Sequence, residues 1–472
     1  MKKAALIIIS LVLLFSLFSG CAVNSGISGF FEKGESFFAG FGKCEIKIPD
    51  YEPLYIAGYR NGYGITGVLD PLYSRAVALS VGGKTIVAVA VDCVGLASGT
   101  VNDIKREMKK NPLLSEVEIT VSATHTHAGI DTMGLWGKVA EDGKSPAFME
   151  AVKASAVAAA VAAASDMREG SLYFSKASVK ELLYDSRMPK AYDENVYQIR
   201  FEPSDGGAGF RIINLGAHAE ALRSENTLAS PDYPAHTGKY IFEKTGDEYI
   251  YFAGALGGLI YTKMQKDANG VELAPTENVK KTGERIGAAL LSVTEERKLS
   301  PTLSFATVSV TLPIENNTFV ALRALGVLEN EFVYNGAGKL GVSAKSRLSL
   351  LRIGEVTAAL VPGELFPELA YGLPEFTEFY PVNGRVKNPK TFKEILNTDE
   401  FLVFGLTDDE IGYIVPPNDF LLHENSPYLE EARDSYGRNH YEETNSLSPH
   451  TAGLIAKALE ELAASPFMSK RG

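Results

Sequence analysis

The sequence predicts a mixed α and β fold in which layered β-sheets are flanked by helices. Some apolar runs are continuous, as in KTIVAVAV from residue 84, which is typical of strands covered on both faces. Other runs alternate apolar and polar residues and are expected to face a single layer. A few longer segments have helical character. Together these observations favour stacked sheets with helices outside them.

Seven apolar runs bounded by polar or turn residues are predicted to be strands. They cover residues 84–96, 117–123, 196–203, 210–217, 248–255, 303–314 and 356–362. Three segments are predicted to be helices, because alanine dominates the first and the other two mix alanine and leucine with charged residues. They cover residues 145–167, 276–297 and 451–464.

The first twenty residues have the features of an export signal. A basic start precedes an apolar run from Ala4 to Phe18, and a small-residue pair then precedes Cys21. The run is short for a bilayer-spanning helix. We therefore predict a bacterial lipoprotein, acylated at Cys21 and held on the extracytoplasmic side of the membrane. A plain secretory peptide and an uncleaved anchor are the alternatives. Residues 21–42, rich in Gly, Ser and Phe, are predicted to be a lipidated tether.

The mature chain is expected to be acidic. The formal net charge is −12 at pH 7, and loss of Lys2 and Lys3 with the signal lowers it to −14. No basic block remains, so nucleic acid is not expected as a partner. With 45% hydrophobic residues the chain can bury a large core, and no linker, repeat or low-complexity tract interrupts it. Residues 43–472 are therefore predicted to form a single domain.

Two cysteines, Cys44 and Cys93, follow Cys21. Export permits a disulfide between them, and buried free thiols are an equal alternative. No CxxC spacing occurs, so metal binding by thiolates is not expected.

Polar side chains follow three of the predicted strands at the point where each strand ends. His125 and His127 follow VEITVSA, His218 follows FRIINLGA, and Glu364 follows VTAALVP. Strand ends converge where open sheets place their sites, and an extended chain would point His125 and His127 to one face. Histidine and carboxylate donors suit Zn²⁺, and iron would use the same set. Hydrogen-bonded polar residues at strand ends are the structural alternative.

Several segments at these positions resemble the signature segments of the neutral (alkaline, non-lysosomal) ceramidases, in the order of that family. They are THTHAG at 124–129, NTLASPD at 226–232, PGE at 362–364, GYIVPP at 412–417 and YEETNSLSP at 441–449. The resemblance implies a ceramidase-like catalytic domain. It also implies zinc ligands at four positions, which are His125, His218, Glu364 and Tyr413.

The same resemblance implies roles for residues beside the metal. His127 is expected to hydrogen-bond the bound water or the substrate, and Tyr441 to polarise the scissile carbonyl. Arg75, Asp92 and Asp232 match family positions in kind, and their roles stay open. Arg75 is expected either to bind a polar group of the substrate or to form a structural ion pair, and Asp92 could orient a histidine.

Two features differ from the family pattern. The family's catalytic serine segment corresponds to GGLIYT at 257–262, which contains no serine and places Ile260 at the serine position. The chain also stops after its last predicted helix, so no C-terminal β-sandwich domain is expected.

The expected function is zinc-dependent hydrolysis of an amide bond outside the cytoplasm, with a metal-bound water as nucleophile. The substrate implied by the resemblance is N-acyl-sphingosine or a related N-acyl lipid, which places the protein in sphingolipid metabolism. An esterase or amidase acting on a small polar or sugar-linked substrate is the first alternative. A surface binding protein with a structural metal is the second.

Overall fold

The computed structural model describes residues 26–49, 53–138, 141–375 and 377–469. The predicted export signal and Cys21 lie outside these ranges. The strands, in chain order, are β1 (Ser28–Lys33), β2 (Phe37–Glu45), β3 (Gly67–Val68), β4 (Tyr73–Val81), β5 (Lys84–Val91), β6 (Glu118–Ala123), β7 (Arg168–Ser178), β8 (Leu183–Asp185), β9 (Asn195–Pro203), β10 (Phe210–Leu215), β11 (Leu228–Ala229), β12 (Glu248–Ala253), β13 (Ile260–Thr262), β14 (Arg297–Lys298), β15 (Thr302–Pro313), β16 (Phe332–Tyr334), β17 (Val342–Ile353), β18 (Val356–Leu360), β19 (Glu364–Leu365), β20 (Leu402–Phe404), β21 (Tyr413–Ile414), β22 (Ala432–Arg433) and β23 (Asn439–His440).

The helices, also in chain order, are α1 (Ser98–Met108), α2 (Pro146–Ser165), α3 (Tyr233–Thr245), α4 (Pro275–Leu291), α5 (Asn317–Ala324), α6 (Pro367–Tyr371), α7 (Phe392–Leu396), α8 (Thr451–Ala463) and α9 (Pro466–Ser469). Every strand and helix predicted from the sequence is present, with ends that differ by a few residues. The largest difference is in the second predicted helix, which ends at Leu291 instead of residue 297.

Two sheets form the centre of the fold. The larger has the strand order β12-β10-β9-β7-β2-β4-β5-β6, with β14 paired to β7. The smaller has the order β1-β15-β17-β18-β20, with β16 paired to β17. Most neighbours are antiparallel, but β5 and β6, β10 and β12, and β18 and β20 run parallel.

The sheets pack face to face and carry helices on their outer faces. Val77 and Ile86 of the larger sheet share one buried cluster with Phe305 and Leu351 of the smaller sheet. The other face of the larger sheet packs against α1 to α4. The other face of the smaller sheet packs against α8. The predicted class of layered sheets flanked by helices is therefore confirmed, and the layers follow the order helix, sheet, sheet, helix.

The prediction of a tether over residues 21–42 is wrong for most of its described part. Ser28–Lys33 pairs with β15, and Phe37–Glu45 lies between β4 and β7. Glycines that suggested flexibility have a packing role instead, because a Cβ on Gly40 or Gly42 would lie 2.2 Å from a backbone oxygen of α2. They let α2 approach the sheet closely.

Helix α2 is also long and apolar enough, by length and composition, to cross a membrane. Its buried face includes Phe148, Val152 and Ala156, which join the core under the larger sheet. This is the environment of a core helix. Cys44 and Cys93 are both free thiols, and Cys93 is buried.

The carboxyl ends of β6 and β12, in the larger sheet, lie close to the carboxyl end of β20, in the smaller sheet. Gly405, just after β20, donates its N–H to the carbonyl of Ala253 at the end of β12 (2.9 Å). The N–H of Ala123, at the end of β6, donates to the carbonyl of Leu406 (3.1 Å). The chain after β20 thus joins the two edges of the larger sheet, and the polar residues that follow these strands lie together.

Candidate metal centre

The two histidines of the THTH segment reach the same point by a turn. The strand ends at Ala123, and His125 has φ of 60°, a left-handed conformation that is uncommon outside glycine. The chain is therefore not extended at His125, and the expectation that an extended chain would point both rings to one face is wrong. The turn still brings His127 Nε2 to 3.3 Å from His125 Nε2. Backbone strain of this kind concentrates at functional sites.

His218 and Glu364 are positioned by neighbouring short strands. The N–H and the Nδ1 atom of His218 both lie 2.8 Å from the carbonyl oxygen of Ile260. Glu364 and Tyr413 occupy opposite positions in the parallel pair β19 and β21. The GGLIYT segment, which lacks the family serine, thus contributes a backbone carbonyl that orients His218.

The donor atoms of His125, His218 and Glu364 converge. Glu364 Oε2 lies 3.1 Å from His218 Nε2 and 3.3 Å from His125 Nε2. The Nδ1 atoms of both rings face carbonyl oxygens, since His125 Nδ1 lies 2.6 Å from Val94 O. When each Nδ1 donates to its carbonyl, each Nε2 faces the carboxylate oxygen with a lone pair that a metal ion can use. Two imidazole nitrogens and one carboxylate oxygen are a donor set that suits a metal cation.

The spacing of these atoms fits a tetrahedral ion. Zinc bonds of about 2.0–2.1 Å place neighbouring ligand atoms roughly 3.3 Å apart, as these donors are. The nitrogen atoms of His125, His127 and His218 also lie within 4.8 Å of one another. The donors thus fit a metal in two ways, as a His/His/Glu set or as a set that includes His127.

The electrostatics of the cluster favour a charged Glu364. Burial acts to raise its pKa, but His125 and His218 outweigh burial and hold the pKa well below its ordinary value. Burial acts to lower the pKa of His218, and Glu364 raises it overall. His127 differs, because burial, His125 and His218 all lower its pKa, to well below the ordinary value. His127 is accordingly neutral near pH 7.

Two residues near His127, Tyr59 and Glu220, were not predicted from the sequence to belong to the site. The Nδ1 atom of His127 lies 3.6 Å from Glu220 Oε2 and has no hydrogen-bond partner among the described residues. The hydroxyl of Tyr59 donates to the same Glu220 oxygen (2.5 Å). A Cβ on Gly58, which has φ of 112°, would lie 2.6 Å from the His127 side chain. Glu220 could have been predicted from the sequence as a site residue, because it is a carboxylate two residues after the predicted ligand His218.

The two tyrosines lie beside the cluster. Tyr413 is buried, and burial followed by the charge of Glu364 raises its pKa well above the ordinary value. The ring of Tyr441 lies 6.3 Å from that of Tyr413, and Tyr441 is 40% exposed. Burial of its hydroxyl and Glu364 raise the pKa of Tyr441 to about 12. Both hydroxyls are therefore protonated near pH 7 and can donate hydrogen bonds.

A single pocket joins these groups. Its polar end includes His125, His127, Glu364, Tyr413 and Tyr441. The rest of its wall is mainly apolar and includes Val94, Met133, Trp136, Phe319, Phe332 and Leu447. The cavity volume is about 100 Å³, and more of its lining is apolar than polar.

Arg75 and Asp92 lie elsewhere and pair with each other. Arg75 Nη1 donates to Asp92 Oδ2 (2.7 Å), and the same oxygen accepts the N–H of Tyr73 (2.9 Å). Both side chains are buried, and neither is among the residues that line the pocket. The geometry supports the structural ion pair. No described contact supports a substrate-binding role for Arg75 or an Asp92 that orients a histidine, since His125 Nδ1 faces Val94 O.

Asp232 acts on the site through the backbone. It begins α3 and accepts the N–H groups of Ala221, Leu222 and Tyr233, at 2.7–2.9 Å. Burial raises its pKa to about 6. These bonds hold the turn that follows His218 and carries Glu220. The remaining histidines, His236, His423, His440 and His450, are not among the residues that line the pocket.

Comparison with known proteins agrees with this geometry. Residues 37–247 match the family model described as "Neutral/alkaline non-lysosomal ceramidase, N-terminal". This part of the chain is therefore similar to the N-terminal domain of the neutral/alkaline ceramidases. The match covers the segments that carry Arg75, the THTH histidines, His218 and Asp232, and the resemblance predicted from the sequence is confirmed. Ceramidases are hydrolases, which is the reaction class that this match supports.

The fold is also similar to solved ceramidase structures. Neutral ceramidase from Pseudomonas aeruginosa matches with a TM-score of 0.66 at 15% identity, over 91% of this chain and 74% of the other. A ceramidase complexed with C2 matches with the same TM-score and identity, over 91% and 75%. No curated protein sequence matches the chain significantly. At this identity the structures show the ceramidase-like fold alone.

Proposed function

We propose that this protein is an extracytoplasmic, metal-dependent hydrolase that cleaves the amide bond of an N-acyl lipid, with N-acyl-sphingosine as the first candidate. The observation that carries the proposal is the convergence of His125 Nε2 and His218 Nε2 on Glu364 Oε2. His125 and Glu364 also line a pocket whose wall is mainly apolar. One of the similar structures is a ceramidase complexed with C2, and this similarity supports a lipid substrate.

Different residues of the site would bind the metal, transfer the proton and stabilise the developing negative charge. His125, His218 and Glu364 would hold the metal, and Tyr413, opposite Glu364 in the β19–β21 pair, would be the fourth ligand. When bound, a zinc ion supplies Lewis acidity, which polarises a carbonyl and lowers the pKa of a coordinated water. His127 Nε2 takes up a proton from the attacking water and delivers it to the leaving nitrogen. The hydroxyl of Tyr441 donates to the carbonyl oxygen as negative charge develops there.

The pocket wall supports a lipid substrate over a small polar one. Side chains such as Phe319, Phe332 and Leu447 offer an acyl chain a place away from water. Burial of each methylene group stabilises the complex by about 0.8 kcal/mol. A small polar or sugar-linked substrate would leave this wall without a partner, so the esterase or amidase alternative is disfavoured. His127 and Tyr441 line the same pocket as Glu364, which supports catalysis over a purely structural metal.

Metal analysis of the purified protein, combined with an activity series over acyl chain length, tests the proposal. We expect about one equivalent of zinc and a value of kcat/KM that rises from two-carbon to eight-carbon acyl groups. A chelator is expected to abolish activity. A serine-directed phosphonate is expected to leave it intact, because Ile260 replaces the family serine. An acyl-enzyme trapped on a serine or threonine, or activity that survives metal removal, would contradict the mechanism.

A further inference from the structure

The amino end of β1 lies at the same end of the smaller sheet as the candidate metal centre. β15 and β18 are both antiparallel to β17, so their carboxyl ends point the same way. Glu364 follows the carboxyl end of β18. β1 is antiparallel to β15, so the chain enters β1 from that end. The N-terminal segment therefore joins the fold on the side of the candidate site.

The cysteine predicted to carry the lipid is within reach of this end. Ser28, the first residue of β1, pairs with Thr307, and β15 continues from there to Pro313. The six residues from 307 to 313 span about 20 Å, at about 3.3 Å per residue. Cys21 precedes Ser28 by seven residues, which extend to at most about 25 Å. An acyl group on Cys21 can therefore hold this end of the fold against a membrane.

A connection at this end of the sheet exposes apolar side chains. Residues 314–341 join β15 to β17 and include α5 and β16. In this segment Leu325 is 76% exposed, Tyr334 85% and Leu340 42%. Tyr334 is the last residue of β16 and lies opposite Val342, the first residue of β17. Leu340 is in the turn between these strands, and this turn lies beyond the end of the sheet.

The same connection forms part of the pocket wall. Phe319 of α5, Phe332 of β16 and Leu328 between them line the pocket together with Glu364. The three exposed apolar side chains are not among the residues that line it. One segment thus contributes to the pocket with some of its side chains and presents other apolar side chains to the outside. A partner that binds this surface would lie beside the pocket.

The charges of this segment indicate which partner fits. Residues 314–341 contain three acidic and two basic side chains, which are Glu315, Glu329, Glu331, Arg323 and Lys339. The whole chain has a formal net charge of −12, so anionic lipids would not attract it. Exposed leucine and tyrosine side chains bind the interfacial layer of a bilayer by burying apolar surface. The surface therefore fits a lipid bilayer that is bound without the help of charge.

We propose that residues 314–341 dock on the membrane, with Leu325, Tyr334 and Leu340 in its interfacial layer, and that the pocket takes its substrate from the bilayer. This inference deepens the proposed function by naming the source of the lipid substrate. It rests on that function and on acylation of Cys21. The acyl anchor keeps the surface at a high local concentration near the bilayer, so a weak second contact is enough to orient the pocket.

Fluorescence quenching in vesicles tests the orientation. The chain contains one tryptophan, Trp136, which Trp136→Phe removes. Tyr334→Trp then reports the docking surface. Leu113→Trp reports a position before the amino end of β6, at the opposite end of the larger sheet. Each acylated protein is reconstituted in phosphatidylcholine vesicles with or without bromine on the lipid acyl chains.

The two tryptophan positions are expected to respond differently. Bromine should reduce the emission of the Tyr334→Trp protein by about half or more, because an interfacial side chain lies close to the acyl chains. It should reduce the emission of the Leu113→Trp protein by less than about a tenth, because that position lies away from the bilayer. High salt should leave the difference unchanged, since apolar contacts are not screened.

Two double variants test whether docking serves catalysis. Leu325→Ser with Tyr334→Ser should lower kcat/KM about tenfold or more for a long N-acyl amine embedded in vesicles. It should leave kcat/KM within about twofold for a short N-acyl amine dissolved in water, because neither residue lines the pocket. The control is Leu113→Ser with Phe242→Ser, at two side chains that are each 50% exposed and precede the amino ends of β6 and β12. The control should leave both values within about twofold, and melting temperature reports folding.

The outcomes separate docking from hydrolysis. Equal quenching in the Tyr334→Trp and Leu113→Trp proteins overturns the inference, as does a chain that stays in solution when vesicles are present. An unchanged kcat/KM for the embedded substrate in the Leu325→Ser, Tyr334→Ser protein also overturns it. So does a wild-type dimer that this double variant abolishes, because the surface would then bind a second copy of the chain. If quenching is confined to the Tyr334→Trp protein but neither amine is cleaved, docking stands and the proposed hydrolysis fails.

Discussion

Glu220 Oε2 lies 3.6 Å from His127 Nδ1 and accepts the hydroxyl of Tyr59. The Nδ1 atoms of His125 and His218 face backbone carbonyls instead. A carboxylate stabilises the protonated ring far more than a carbonyl does, because it adds a full opposite charge. If His127 takes up a proton during the reaction, Glu220 is therefore the group placed to stabilise the protonated ring from its Nδ1 side.

Replacement of Glu220 tests this relationship. We expect Glu220→Gln to lower kcat about 10–100-fold with little change in metal content, as other groups that orient an active histidine do. The control is Glu225→Gln, which removes an exposed carboxylate paired with Arg60. Zinc analysis and steady-state kinetics give the result. Loss of metal in Glu220→Gln would instead place Glu220 among the groups that hold the ion.

His125 and His127 are expected to respond differently to truncation. His125→Ala removes a donor that faces Glu364, so most of the bound metal should be lost. His127→Ala should retain the metal and lose about 10²–10⁴ in kcat, the usual contribution of a general acid or base. Metal content per chain is measured by mass spectrometry after dialysis. Equal metal loss in the two variants would make His127 a ligand, as the three-histidine spacing also permits.

Tyr441 is expected to act in the transition state. Its pKa of about 12 keeps the hydroxyl protonated over the working pH range, so it can donate to a developing oxyanion. Tyr441→Phe should lower kcat by about 10²–10³ with KM nearly unchanged. Tyr436→Phe, at an exposed tyrosine nearby in sequence, serves as the control. A rise in KM alone would assign Tyr441 to substrate binding.

Arg75 and Asp92 are expected to contribute to stability. Arg75→Met leaves Asp92 buried without its cation and should lower the free energy of unfolding by about 3–5 kcal/mol. Lys47→Met, in the exposed pair with Glu45, should cost at most about 1 kcal/mol. Urea unfolding followed by circular dichroism gives both values. Unchanged stability with a raised KM in Arg75→Met would restore the substrate-binding role.

Membrane attachment is expected to depend on Cys21. The wild type should partition with the membrane fraction, because the several acyl chains of a bacterial lipoprotein hold firmly. Cys21→Ser should be released or stay unprocessed, whereas Cys44→Ser should still partition with membranes. Fractionation and N-terminal mass spectrometry distinguish these forms. A soluble wild type with a free N-terminus at another residue would remove the lipoprotein proposal.

The fold class could be predicted from local sequence patterns, and so could the positions at which polar residues follow the strands. Each strand could be identified from the apolar residues within its own segment. The polar residues that follow these strands are His125, His127, His218 and Glu364, and sheet geometry predicted that they lie close together. Local composition misled at residues 28–42. There, Gly40 and Gly42 indicate close packing of α2 on the sheet rather than flexibility, and only the contact with α2 reveals the difference.

The contacts between side chains of the site depend on segments that are distant in sequence. Residues 405–408 join the edges of the larger sheet through bonds to Ala253 and Ala123, and this long-range closure brings Glu364 to the histidines. Glu220 meets His127 only because the chain turns at His125, and Arg75 meets Asp92 because β4 and β5 pair. These pairings depend on contacts between segments that are distant in sequence, so local sequence patterns could not predict them.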